Sequence, residues 1–117
     1  MFPLKRRRKF ARINKKGLTA VVVFEGTSFN AKVKDISASG CNISFVKPEP
    51  NIPVDGSVIV SFTLNDIDFS FKASKVRENS FNFLFEDREL QTKLNNEILV
   101  EYFKDTPELI PVDKNLK

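Results

Sequence analysis

Between residues 58 and 85 most apolar side chains fall at every second position, and few chain conformations can use such a pattern. Val58, Val60, Phe62 and Leu64 share one parity, Asn65 and Asp66 interrupt it, and Ile67, Phe69, Phe71 and Ala73 resume it. After Glu78, Asn79 and Ser80 the alternation returns with Phe81, Phe83 and Phe85. A period of two describes a pleated strand with one apolar face, and the polar interruptions are turn residues. The same signal runs upstream. Leu18, Ala20, Val22 and Phe24 alternate with Thr19, Val21 and Val23, and Glu25, Gly26 and Thr27 supply a tight turn. The next strand covers about Ser28 to Lys34, and Asp35 to Gly40 reads as a short polar turn before Cys41, Ile43 and Phe45, which alternate with Asn42 and Ser44. Pro48, Pro50 and Pro53 mark a loop that ends at Asp55 and Gly56, because proline lacks the amide donor a central strand needs. Six short strands with one apolar face each must close round a core, so a mainly β fold is expected, a six-stranded antiparallel β-barrel.

From Arg88 the period becomes helical, with Leu90, Leu94, Ile98 and Tyr102 on one stripe and Leu99 and Phe103 beside it. Asp87 is placed to cap this C-terminal α-helix, and Pro107 to stop it. The expected organisation is a flexible basic arm over residues 1–16, one barrel-plus-helix domain over 17–106, and a frayed tail over 107–117. Phenylalanine, at 12 copies with no tryptophan, dominates the core. Phe62, Phe69, Phe71, Phe81, Phe83 and Phe85 all lie in register with other apolar residues, whereas a stacking platform for nucleic acid would alternate against them. Phe10 is the exception.

Charge is unevenly placed. Residues 1–16 carry eight Lys or Arg and no acid, and the remainder of the chain has a net charge of −4. A localised basic arm on a mildly acidic body points to a localised anionic partner. The sequence holds no His and a single Cys, Cys41, so a zinc site of several thiolate or imidazole ligands and any His-based triad are excluded within one chain. Asp66 and Asp68 flank a turn without a base or nucleophile beside them, and no enzyme activity is expected. The lone thiol suits a reducing cytoplasm. No secretory signal is expected, and no window approaches the roughly 18 apolar residues of a transmembrane helix.

Two elements remain once the core is assigned. Arg8 and Arg12 form an RxxxR spacing preceded by Arg7, and Asp35, Ser37 and Gly40 form a DxSxxG spacing. Taken singly, a basic run is ordinarily a solvated or general anion-binding segment, and Asp and Ser in a turn ordinarily bond nearby amides. In this order on this scaffold, the pair resembles the ligand-binding signature of the PilZ domain family, bacterial receptors for cyclic di-GMP. The resemblance extends over roughly Lys5 to Lys104. It implies a six-stranded barrel with a C-terminal helix. It also implies cyclic di-GMP as ligand, Arg8 and Arg12 as loop arginines, and Asp35, Ser37 and Gly40 as turn residues. In similar proteins an arginine at the place of Arg7 accompanies binding of two intercalated ligand molecules.

The chemistry of these residues suits that ligand. A dianion with two guanines needs charge neutralisation, donors for guanine O6 and N7, and acceptors for the N1 and N2 protons. A guanidinium can fork onto O6 and N7, or lie flat on the purine. Asp35 would repel phosphate and accept from a guanine Watson–Crick edge. Ser37 can bond phosphate or base, and Gly40 permits close approach or a positive φ. The expected mechanism is a switch in which the ligand folds the arm against the barrel and alters a contact for a protein effector, in family terms one of motility, exopolysaccharide production or virulence. No cofactor and no DNA or RNA partner is expected. The competing reading is a basic β-barrel that binds nucleic acid by counterion release, for which Asp35 would be dispensable.

Overall fold

The fold follows from a computed structural model, which describes residues 10–105. Among them, seven strands and one helix succeed one another: β1 (Arg12–Ile13), β2 (Thr19–Phe24), β3 (Thr27–Ser37), β4 (Gly40–Phe45), β5 (Ser57–Leu64), β6 (Ile67–Lys75), β7 (Phe81–Phe85) and α1 (Arg88–Asp105). Six strands form the expected closed antiparallel barrel in the order β3-β2-β5-β6-β7-β4, with β4 pairing back onto β3. The hairpins β2–β3 and β5–β6 turn through two residues of positive φ each, Glu25 and Gly26, then Asn65 and Asp66. That backbone matches the right-handed twist of the flanking strands.

Two expectations about the strands are corrected. The alternation did not announce β1, a seventh strand too short to show a period; it continues along β3 where β2 stops, since Thr19 pairs with Lys32, Ile13 with Ile36 and Arg12 with Ser37. Nor is Asp35–Gly40 all turn. Asp35, Ile36 and Ser37 belong to β3, and only Ala38 and Ser39 make the bend. The β3–β4 register shifts between Val33 and Asp35, so Lys34 is an inserted bulge residue. Before it Ala31 and Val33 face the core, and after it Ile36 does. The bulge reverses the parity of the strand, and Asp35 thereby points outward instead of into the apolar interior.

Inside the barrel, Phe62, Phe69, Phe71 and Phe85 stack in near-parallel layers, with Phe71 and Phe85 centroids 4.2 Å apart at 9°. Phe83 is buried too, while Phe81 is half-buried and meets Phe45 edge-on at 4.7 Å. At the end of β6, inward parity places Lys75 in the interior. Its ammonium donates to the carbonyls of Ile52 at 2.8 Å and Glu78 at 3.3 Å and lies 4.7 Å from the Phe81 centroid, which ties the proline-rich loop to the barrel.

Asp87 caps α1 as expected, accepting from the Leu90 amide at 3.1 Å. The buried face of α1 differs from the expected stripe. Leu94, Ile98 and Glu101 are buried, Leu90 partly so, and Tyr102 is exposed. At about 100° per residue, Tyr102 lies about 120° round the helix from Leu90, whereas Glu101 returns to within about 20° of Leu94. Glu101 is held by Lys15 at 3.1 Å and Lys104 at 3.3 Å, and Glu97 accepts from Asn65 at the tip of the β5–β6 hairpin. Burial raises the Glu101 pKa, but the hydrogen bonds and charges of Lys15 and Lys104 outweigh it and hold the carboxyl below its ordinary 4.5.

Two outcomes follow from this packing. Phe71→Ala should cost about 3–5 kcal/mol in denaturant unfolding, because it empties the middle of the ring stack; a loss below about 1 kcal/mol would mean that the stack contributes little. The folded state holds Glu101 with fewer protons than the unfolded chain, so its contribution is present above the ordinary carboxylate pKa and disappears as pH falls through the folded one. Glu101→Gln should therefore lose less stability than wild type between pH of about 5 and 3, and parallel stability curves would contradict the assignment.

Candidate functional site

β1 and the end of β3 bring the separated motifs together. Arg12 stands opposite Ser37, and Asp35 is two residues back on the same face of β3, diagonal to Arg12. Diagonal neighbours in an antiparallel pair are within reach of a long side chain. Arg12 Nη1 donates to Asp35 Oδ1 in an ion pair between two half-buried side chains. The Arg12 Nε–H is buried and finds no acceptor among the described residues. A buried donor without a partner is costly, and an anionic oxygen placed beside it would relieve that cost.

Ser37 is 2% exposed. Its hydroxyl accepts from the Ser39 amide at 3.3 Å and lies 3.1 Å from the Ser39 hydroxyl, so its observed work is to hold the bend. Gly40 does not have positive φ. A Cβ there would lie 2.1 Å from the Phe83 carbonyl oxygen, so glycine is needed for β4 to approach β7. Arg7 and Arg8 lie outside the described residues.

Two asparagines join this face. Asn42 pairs with Asp35 across β3–β4, and Asn82 pairs with Asn42 across β4–β7, so a polar row crosses three strands. Asn82 donates to the Ser80 hydroxyl at 2.8 Å. Amide side chains both donate and accept, which suits the edge of a base. Both alternate with apolar residues, Asn42 with Cys41 and Ile43 and Asn82 with Phe81 and Phe83, and that alternation alone does not separate either from an ordinary surface polar residue.

Cys41 lies beneath this face, and its pKa is pushed up to about 12, first by burial and then by the Asp35 charge, with Arg12 acting the other way. It is a neutral thiol at physiological pH and no nucleophile. Among the described residues no cluster of His, Cys, Asp and Glu could hold a metal ion, and no helix is long and apolar enough to cross a membrane.

The family model for the PilZ domain matches residues 6–101. Among solved structures, the chain is similar to the PilZ domain of CeSA from a cellulose-synthesizing bacterium, with a TM-score of 0.59 and 16% identity over 80% of this chain and 98% of that one. An uncharacterized Legionella protein has a TM-score of 0.52 and 16% identity over 85% of this chain and 99% of that one. Among curated proteins, none matches the sequence.

Gly40→Ala should destabilise the ligand-free protein by about 1–3 kcal/mol or more, because backbone has to move to admit the Cβ. Thermal melting without ligand checks this. An unchanged melting temperature would show that β4 and β7 are not held at this distance.

Proposed function

The chain belongs to the PilZ domain family, and we propose that it is a receptor for cyclic di-GMP that acts by altering its own surface. The observation that carries the reading is the outward pairing of Arg12 with Asp35, next to a buried Arg12 Nε–H that finds no acceptor among the described residues. Arg12 supplies positive charge and a flat face for a purine; Asp35 supplies the acceptor that a guanine Watson–Crick edge requires. In the ligand-free protein the two satisfy each other, and cyclic di-GMP exchanges that pair for contacts with its phosphate and base. Arg8 and Arg7 bring further cations from the arm. Ser37 and Gly40 shape the bend against which the ligand rests, through the Ser39 contact and the close approach to Phe83.

In this reading the chemistry is binding without turnover, and the thiol beneath the site stays protonated. Neutralising the basic arm draws it onto the barrel, and the altered surface is read by a protein effector in motility, polysaccharide or virulence machinery. A cytoplasmic setting goes with this role. A nucleic-acid-binding barrel is the competing reading, and Asp35 opposes it, because a carboxylate paired with an arginine weakens a phosphate site.

Calorimetric titration with cyclic di-GMP should give binding at micromolar concentration or tighter, about 8 kcal/mol. Arg8→Ala and Arg12→Ala should each weaken it by about 2–3 kcal/mol, roughly 30- to 150-fold. Asp35→Ala should weaken it as well; unchanged or tighter binding, or no heat from wild type, would overturn the proposal. Two ligands per chain are expected, falling towards one in Arg7→Ala.

A further inference from the structure

Next to Asp35, on the side away from Arg12, stands Asn42. The two are register partners across β3–β4, and both side chains are half-buried. Side chains in such direct opposition have Cβ atoms about 4.5–5.5 Å apart, so one flat molecular edge can touch both. Their present engagements differ. Asp35 accepts from Arg12, whereas the Asn42 side-chain amide makes no hydrogen bond among the described residues. A half-buried amide without a partner, placed beside the carboxylate of the candidate site, has its hydrogen-bonding capacity to offer to a ligand.

The Watson–Crick edge of guanine offers two neighbouring donors, N1–H and N2–H, and beside them one acceptor, O6. A carboxylate takes the two donors but repels O6. In the receptor reading, on which this inference rests, Arg12 leaves Asp35 for the phosphate and the face of the purine, so O6 needs another donor. We propose that Asn42 Nδ2 donates to guanine O6 while Asp35 accepts from N1–H and N2–H, and that Asn82 is the positioning residue that turns the Asn42 amide that way.

An amide can present either end, so the neighbour decides. Asn82 stands directly opposite Asn42 across β4–β7. Its Nδ2 donates to the Ser80 hydroxyl at 2.8 Å, which commits the donor end and leaves Oδ1 to accept. An acceptor beside Asn42 favours the rotamer with Nδ2 towards Asn82, and the second hydrogen on Nδ2 then serves the ligand. Adenine reverses the edge, with an N6 donor where guanine has O6 and a lone pair on N1 that faces the Asp35 carboxylate. The row of Asp35, Asn42 and Asn82 thereby selects guanine over adenine.

Calorimetry on the full chain tests this with two ligands, cyclic di-GMP and the analogue built from 6-thioguanine, whose sulfur is a poor acceptor in the place of O6. Asn42→Ala and Asn82→Ala should each weaken cyclic di-GMP binding about three- to tenfold, as expected for one neutral hydrogen bond. The double variant should lose no more than Asn42→Ala alone, because the two act as a unit. Wild type should bind the 6-thio analogue more weakly by the same factor, a loss that needs no variant to fold, and both variants should bind that analogue as wild type does. A merely structural role would weaken both ligands alike. Equal affinity of wild type and Asn42→Ala for cyclic di-GMP, or a loss in Asn42→Ala that persists with the analogue, would overturn the assignment and leave the receptor reading standing on Asp35→Ala. Absence of binding by wild type would overturn both.

Discussion

One inserted residue governs the geometry of this protein. Lys34 bulges from β3, and every side chain beyond it changes faces. With strict alternation from Ala31 and Val33, Asp35 and Ser37 would enter an interior lined by phenylalanine, where an unpaired carboxylate is not tolerated. With the bulge, Ile36 fills that interior and Asp35 meets Arg12 outside. The same bend lets a single strand of 11 residues serve β2 and β1 along one edge and β4 along the other. Barrel closure and the polar site thus share a cause.

Charges at the barrel end fix what lies around this frame. Glu101 is buried on α1 between Lys15 and Lys104, and it joins the helix to the segment that follows β1. A buried carboxylate holds such a place only when partners compensate for its lost hydration. The short β1 segment is therefore anchored on both sides of Ile13: by Arg12 on Asp35 and by Lys15 on Glu101. Lys75 follows a different solution, satisfied by two carbonyls and an aromatic face rather than by an acid.

The PilZ domain of CeSA shares this fold at 16% identity, which is reasonable for a scaffold specified mainly by alternation and closure. Any set of apolar residues of suitable volume can fill such a core. Fewer positions demand a particular residue, and Gly40 is one, because of the Phe83 carbonyl and not because of its own backbone angle. The glycine of the DxSxxG spacing can thus owe its place to the barrel.

The linear order of apolar and polar residues by itself determined six strands, their two tight hairpins, the helix, its Asp87 cap and the inward phenylalanines, since each is a local consequence of period or of turn chemistry. It also carried the two motifs. Arg12–Ile13 was not legible as a strand, because two residues have no period and its strand character comes entirely from the edge of β3. The bulge shows in the sequence only as the three-residue step from Val33 to Ile36, which a turn at Asp35 explains equally well. The helix face was misjudged because steps of four drift round the axis, and only docking selected Glu101 over Tyr102. Above all, Arg12 and Asp35 are 23 residues apart, and their pairing and the clash awaiting a Cβ at Gly40 are relations between strands. Period and propensity act within a strand; which strands meet, and in what register, is decided by closing the barrel.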